Sequence, residues 1–503
     1  MTVTGAAYDL ANASLNSTVA FGGVRVGATS NLAVTNTVIT AAAFQDDLGV
    51  TAVAGTTQLG IANPALISAG ATRNVVVTAA KAGLLTDTLT VSLASKALAA
   101  SGLADGATTT QSVAVTGTAY DFAGATHAAN LALGNVRVTT GTGRVTVTNA
   151  LAANGTAAYQ DALDLSATSS NARLGVVSGA TGIAATATGD VTVRAITAGS
   201  LAGNLTLGFT SKALAESGLA DAVLANGTVA VTGAAYDLAT ATVASSLALN
   251  NVRTGTLTNV SVGNTVTTSA AFQDSLDVAA TSSIANLTLT NPANIAAGAA
   301  RNLVVNAATA GVLDATLTLG LTSNANGVNG LNNAGLTAQT IAVTGAAYDL
   351  ARPTVATTLA IGNRRVGYAA DLNIANATLT SATYQDSLDV TSATSNAKLT
   401  LGSVANIAAG VDRNLVVTAA TAGVLDATLT LGLTSNANSV TGLTNQALAG
   451  KTVTVTGAAY DIANASLDSS LVLGGVRVGS TANLAVTNAV RTLAAYQDDL
   501  GVT

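Results

Sequence analysis

The chain has 503 residues, 9% of them charged, a formal net charge of -6, one histidine and no cysteine. Ordinary soluble domains carry about 25% charged residues. The weak acidic balance excludes the basic face that a nucleic-acid binder needs, and the missing cysteines exclude disulfides and zinc–cysteine sites. No purely apolar run is long enough to be read as a membrane-spanning helix.

The string Tyr-Asp recurs at Tyr8-Asp9, Tyr120-Asp121, Tyr236-Asp237, Tyr348-Asp349 and Tyr460-Asp461, in steps of 112, 116, 112 and 112 residues. An arginine keeps the same beat at Arg25, Arg137, Arg253, Arg365 and Arg477, and a glutamine follows an aromatic at Gln45, Gln160, Gln273, Gln385 and Gln497. A unit of this length can bury a core of its own, so the pattern predicts like domains in tandem. The predicted boundaries are 1–9 (the last strand of a preceding module), 10–121, 122–237, 238–349 and 350–461 (four complete repeats), and 462–503 (the first half of a fifth).

Within the first repeat the elements read as β. Leu32 and Val34 alternate with small or polar neighbours in Asn31–Asn36; Leu89, Val91 and Leu93 alternate with Thr, Ser and Ala; Val113 and Val115 do the same near the end. Period two over short runs broken by Gly, Asn and Ser predicts half-buried antiparallel strands. Gly22-Gly23 and Gly27 bracket the Val24-Arg25-Val26 strand. The Arg73–Val77 strand and the strand after Gly83 read as a hairpin. Ser95–Gly102 and its counterpart Ser211–Gly218 predict one or two helical turns, from Ala, Leu and Lys with Ser in front and Gly behind. The fold class expected is all-β: tandem immunoglobulin-like β-sandwiches of about 112 residues in an extended array.

The pieces Phe21–Gly27, Asn31–Asn36, Ala69-Gly70 with Asn74–Val77, Ala82-Gly83 with Thr88–Val91, and Val113–Tyr120 stand in one order in each complete repeat. Together they resemble the choice-of-anchor D, or hydin-like, immunoglobulin-type domain of bacterial surface proteins. The resemblance covers the whole chain. It implies a seven- to nine-stranded sandwich without catalytic residues. The leading Phe gives way to Leu133, Leu249, Ile361 and Leu473 in the other repeats.

Residues 460–503 match residues 8–51 at 32 of 44 positions. This suggests a four-repeat block that begins again, in a window on a longer polypeptide.

Tyr8, Asp9, Tyr120, Asp121, Tyr236, Asp237, Tyr348, Asp349, Tyr460 and Asp461 are the candidate inter-domain junction, with the ring packed and its hydroxyl on a neighbour's backbone. Asp46, Asp47, Asp274, Asp277, Asp386 and Asp389 form an acidic cluster that calcium could use, although no Asp-x-Asp-x-Asp-Gly loop is present; solvated loop carboxylates are the plainer reading. The periodic arginines read as exposed strand residues, or as partners of an acid on the next copy. His127 occurs once, so no Ser-His-Asp triad repeats, and no acid pair is singled out; the chain is not read as an enzyme and no cofactor is expected.

Sandwiches guard their edges with charge, lysine above all, and this chain has five lysines. That favours a structural extracellular protein at the cell surface, assembling into a filament, sheath or surface layer, with copies of itself as partner and cell-surface glycans as a second. The alternative is a non-assembling stalk of a large bacterial adhesin that presents a distal binding domain.

Overall fold

The computed structural model describes residues 1–503. They cluster into two compact units. One comprises Met1–Leu238, Val266–Asp274 and Ala325–Asn332; the other comprises Ala239–Thr265, Ser275–Asn324 and Asn333–Thr503. Every regular element is a strand or a one-turn 3₁₀ segment.

The first unit opens with nine strands: β1 Ala13–Leu15, β2 Thr18–Arg25, β3 Thr29–Asn36, β4 Asp47–Ala54, β5 Leu59–Ala62, β6 Thr72–Ala79, β7 Gly83–Leu84, β8 Asp87–Lys96 and β9 Thr108–Tyr120. One sheet runs β1-β3-β6-β5 and the other β2-β9-β8-β4, with β7 on β9. This is an immunoglobulin-like sandwich of A-B-E-D and A′-G-F-C sheets. All pairings in it are antiparallel except β2 with β9. Period-two patterning puts Leu32 and Val34 of β3, Val75 and Val77 of β6, Leu89 and Val91 of β8 and Val113 and Val115 of β9 into one dry core. Residues 1–7 carry no strand and are exposed.

The same unit holds a second sandwich. Its first sheet is Ala125–His127, Thr142–Asn149, Thr188–Ala195 and Leu174–Ser178; its second is Asn130–Arg137, Gly227–Tyr236, Gly203–Lys212 and Ala162–Ser169. Its core gathers Val145, Val147, Leu163, Leu205, Leu207 and Phe209.

The other unit repeats the plan twice. Leu257–Asn264 pairs with Ala300–Ala307 in one sheet, and Ser246–Arg253, Ala334–Tyr348, Ala315–Asn324 and Ser275–Ser282 form the other. In the fourth sandwich, Ala369–Asn376 pairs with Asp412–Ala419, facing Thr358–Arg365, Gln446–Tyr460, Ala427–Asn436 and Ser387–Thr394. Each has a separate core, around Leu303 and Leu317 in the third and Leu415 and Leu429 in the fourth. Residues 462–503 contribute one two-stranded pair, Ala465–Leu467 with Val486–Asn488, and a 3₁₀ turn at Ala494–Tyr496.

Three sequence expectations change. β6 and β8 are not a hairpin: they lie in opposite sheets, because the chain crosses between layers at β7. The antiparallel rule is broken by β2, which enters beside the last strand in parallel. The helical turns predicted after Ser95 are absent from the first repeat, where β8 continues through Lys96. The second repeat keeps a single 3₁₀ turn at Ala215–Ser217. In both repeats an aspartate on the return arm of the loop accepts the backbone N–H that follows the strand: Ala97 N–H donates to Asp105 Oδ1 at 3.1 Å, and Ala213 N–H to Asp221 Oδ1 at 2.9 Å.

The repeated Val-Thr-Gly near the end of each long strand has a steric cause. Gly117 has φ 152°, and a Cβ there would lie 2.7 Å from Phe21 Cβ and 2.8 Å from Gly22 O. Only glycine lets β9 pass the bulge in β2 that closely.

Candidate junction sites

The strand that ends one sandwich runs without a linker into the next repeat, and Tyr-Asp sits at that point. Tyr120 is the last residue of β9. Asp121 then makes a parallel bridge with Gln160: its N–H donates to Tyr159 O at 2.9 Å, and Asp161 N–H donates back to Asp121 O at 3.1 Å. The same exchange joins Asp9 with Phe44 and Asp46, and Asp349 with Tyr384 and Asp386. The tyrosine ring packs on the aromatic before the glutamine: Tyr8 on Phe44, Tyr120 on Tyr159, Tyr236 on Phe272, Tyr348 on Tyr384 and Tyr460 on Tyr496, with centroids 5.4–6.0 Å apart. The expected hydroxyl bond to a neighbouring backbone does not form; the tyrosine contributes its ring.

A polar knot underlies this turn in the first, second and fourth repeats. Asn376 is fully buried. Its Nδ2 donates to Asp386 O at 2.9 Å and to Ile407 O at 3.0 Å; its Oδ1 accepts from Gln385 Nε2 at 3.1 Å and from Arg352 N–H at 2.8 Å. Asn36 and Asn149 make the equivalent bonds with Gln45 and Gln160. Satisfying both ends of a buried amide fixes the turn that carries the next residue, an aspartate.

That aspartate receives the periodic arginine. Arg25, at the end of β2, places Nη1 2.7 Å from Asp161 Oδ2, and its guanidinium lies 4.4 Å above the Phe122 ring. Arg137 reaches Asp274 with Nη1 and Nη2, each at 2.8 Å. Arg253 donates to Asp386 Oδ1 at 2.7 Å. The carboxylates are almost wholly buried, and the arginine side chains are 17–21% exposed. A serine shares the carboxylate: Ser211 Oγ donates to Asp161 Oδ2, the oxygen that also meets Arg25, and Ser435 Oγ donates to Asp386 Oδ2, opposite the oxygen that meets Arg253, both at 2.7 Å. Each serine hydroxyl also accepts a backbone N–H, from Ala123 at 2.9 Å and Ala351 at 2.8 Å.

The second guanidinium nitrogen reaches the loop that follows this serine. Arg25 Nη2 donates to Ala220 O at 3.2 Å, Arg137 Nη2 to Asn332 O at 2.8 Å and Arg253 Nη2 to Thr444 O at 3.0 Å. Two residues before each arginine stands a small or amide residue. Asn135 donates to Asn329 O and Asn251 to Thr441 O, both at 3.0 Å. Gly23 lies so close to the Ser217 carbonyl that a Cβ would overlap it. Arg365 pairs with Asp498, but here both groups are substantially exposed, at 55% and 34%.

Arg25, Arg137 and Arg253 are therefore not exposed strand residues; each is half of an ion pair with the next repeat's acid, whereas Arg365 and Arg477 are exposed as expected. Most of the acids offered to calcium have protein partners. Asp274 and Asp386 take arginine. Asp277 and Asp389 each accept a backbone N–H, from Asn294 at 2.6 Å and Asn406 at 2.7 Å. Asp46 accepts from Ser95 Oγ at 2.8 Å, and Asp47 lies in register opposite Lys96. No group of three or more His, Asp or Glu side chains is placed to hold a metal. The serine and the loop carbonyls escaped sequence reading. Their signal was present in the period of Ser95, Ser211, Ser323 and Ser435, but nothing local marks such a serine as buried.

Burial pushes the Asp121 carboxyl above its ordinary value. In the neighbouring loop, the Lys212 ammonium holds Asp221 below it, helped by Ala213 N–H.

Fold and junctions together define a tandem immunoglobulin-like β-sandwich protein. No family model matches the chain, and no curated protein does. Among solved structures it is similar to the I-band fragment I67–I69 of titin, at 10% identity over 67% of this chain and 98% of that one, with a TM-score of 0.29. It is similar to Drosophila N-cadherin EC1-4, at 10% identity over 88% and 98%, with a TM-score of 0.24. Domains 4–9 of the surface layer protein SbsC share 15% identity over 89% of this chain and 63% of that one, with a TM-score of 0.17. Scores this low carry no argument about ligand, partner or location. No helix is long and apolar enough to cross a membrane.

Proposed function

We propose that this chain is a structural protein of the cell exterior, in which sandwiches are concatenated through arginine–aspartate locks and copies associate into a filament, sheath or surface layer. The observation that carries the reading is the repetition of one buried lock at successive repeats, with Tyr-Asp as the junction between domains. A catalytic protein needs one differentiated site. This chain spends its few charged residues on making the same joint again and again.

The edges favour association. The outer strands Leu59–Ala62, Leu287–Thr290 and Leu399–Leu401 contain no charged residue, and β4 carries Asp47 alone. Val53 on β4 is 60% exposed. Uncharged edges of this kind accept another strand or sheet. The order of the five motifs supports kinship with the choice-of-anchor D type, and with it a bacterial surface location; cell-surface glycans are a second partner class in that setting.

The locks within the chain would equally serve a stalk that holds a distal adhesive domain without self-association. Electron microscopy of purified protein at neutral pH separates the two. Regular polymers or sheets support assembly, whereas isolated single particles at every concentration overturn it and leave the stalk.

A further inference from the structure

The first sandwich differs from the other three at one place on its outer face. In the second, third and fourth, an aspartate accepts a backbone N–H from the segment that runs back beside its strand: Asp164 from Gly182 at 2.6 Å, Asp277 from Asn294 at 2.6 Å and Asp389 from Asn406 at 2.7 Å. The neighbouring bridges fix the correspondence: Leu163 with Ile183, Leu276 with Ile295 and Leu388 with Ile407. In the first sandwich that bridge joins Leu48 with Ile67. Gly49 therefore stands in the aspartate's place, and Leu66 carries the N–H with no side chain at residue 49 to accept it.

Two further replacements shape the same spot. Ala94, paired with Gly49 across the strands, stands where Thr210, Thr322 and Thr434 face the three aspartates. Ser92, paired with Thr51, brings a hydroxyl where the other sandwiches have Gly208, Gly320 and Gly432. These residues, with Pro64, Leu66 and Lys96, line a cleft of about 490 Å³, within the roughly 300–1,000 Å³ of small-molecule sites.

The cleft's one cation is already matched. Lys96 Nζ lies 2.6 Å from Asp105 Oδ2, and Asp47 stands opposite Lys96 in register. Two carboxylates around one ammonium leave the rim acidic, which repels an anion but not a neutral acceptor. The group that suits Leu66 N–H here is an uncharged acyl oxygen. Pro64 and Leu66, the latter 49% exposed, offer apolar surface beside it.

We propose that this cleft binds the acetamido group of an N-acetylated amino sugar. Its carbonyl oxygen accepts the Leu66 N–H in the aspartate's stead, its methyl meets Pro64 and Leu66, and ring hydroxyls reach Ser92 and Thr51. The inference rests on the glycan part of the proposed function, gives that partner class a place in the chain, and is independent of assembly.

N-acetylglucosamine titrated into the full-length protein, followed by amide-resolved NMR, should shift the Leu66 and Ser92 amides saturably. Glucose and acetate should bind at least about tenfold more weakly, each lacking one half of the recognised group. Gly49→Asp with Ala94→Thr installs the pair that the other three sandwiches carry and is compatible with the fold. The new carboxylate should take the Leu66 N–H and weaken sugar binding at least about tenfold. A Cβ at residue 49 lies 3.2 Å from Lys96 Cε, so Ser92→Gly, also the residue of the other sandwiches, serves as a second variant that should weaken binding without touching the lysine. No saturable shift at Leu66, or binding indifferent to both variants, overturns the site. Acetate bound as tightly as the sugar overturns the acetamide. Micrographs of the wild type decide assembly separately, so failure of either reading leaves the other standing.

Discussion

Arg253 and Asp386 stand 133 residues apart in the chain and 2.7 Å apart in space. The arginine ends the second strand of one sandwich, and the aspartate precedes the Ser387–Thr394 strand of the following one. The pair is buried on the acid side to 1%, with Ser435 and Thr444 O completing the hydrogen bonds. Desolvating two charges is offset only when geometry and auxiliary bonds are this complete.

Removing one partner should therefore cost far more than removing both. Arg253→Ala strands a buried carboxylate and should destabilise the protein by about 3–5 kcal/mol. Arg253→Met with Asp386→Leu should recover a large part of that loss. Urea unfolding of the two variants checks the difference; equal losses would show that the ion pair does not govern this joint.

The Arg365–Asp498 pair is the internal control. With both side chains largely solvated, Arg365→Ala should cost less than about 1 kcal/mol in the same assay. A loss as large as that of Arg253→Ala would mean that burial does not set the strength of these locks.

Asn376 makes four hydrogen bonds from a fully buried site. Asn376→Leu leaves backbone and glutamine partners unsatisfied and should cost about 3 kcal/mol or more. Amide exchange at Asp386, on the turn it holds, should rise with it. Unchanged protection there would separate the knot from the lock.

The loops after the serines should loosen in acid. Lys96 holds Asp105, and Lys212 holds Asp221, below the ordinary value of 3.8. A carboxylate depressed in the folded state contributes its stabilisation above the ordinary value and loses it as pH falls through the lower, folded one. Exchange at Ala97 and Ala213, corrected for intrinsic rate, should accelerate below about pH 4, the onset set by the ordinary carboxylate pKa. A flat profile would show that the aspartates do not close these loops.

Much of the fold was legible. The 112-residue beat and the alternation in Asn31–Asn36 and Thr88–Leu93 determined the number of sandwiches and which side chains enter their cores, because period two leaves a half-buried strand little choice of face. The aromatic-Gln-Asp and Tyr-Asp marks kept the beat of the repeat. The hairpin expected between β6 and β8 was not decidable locally. Two adjacent β-branched strands can pair or can face each other across a core, and only the closing of two sheets selects the second.

The same limit governs the joint. Sequence by itself determined that an arginine and an aspartate recur at fixed offsets, but both look solvated when read along the chain. Tertiary structure decided that Arg25, Arg137 and Arg253 meet the acids of the following repeat, and that Ser211 and Ser435 lie beneath them. Burial depends on what the next repeat lays over a residue, and that is set by the path of the last strand into its neighbour. No window around Arg253 contains that information.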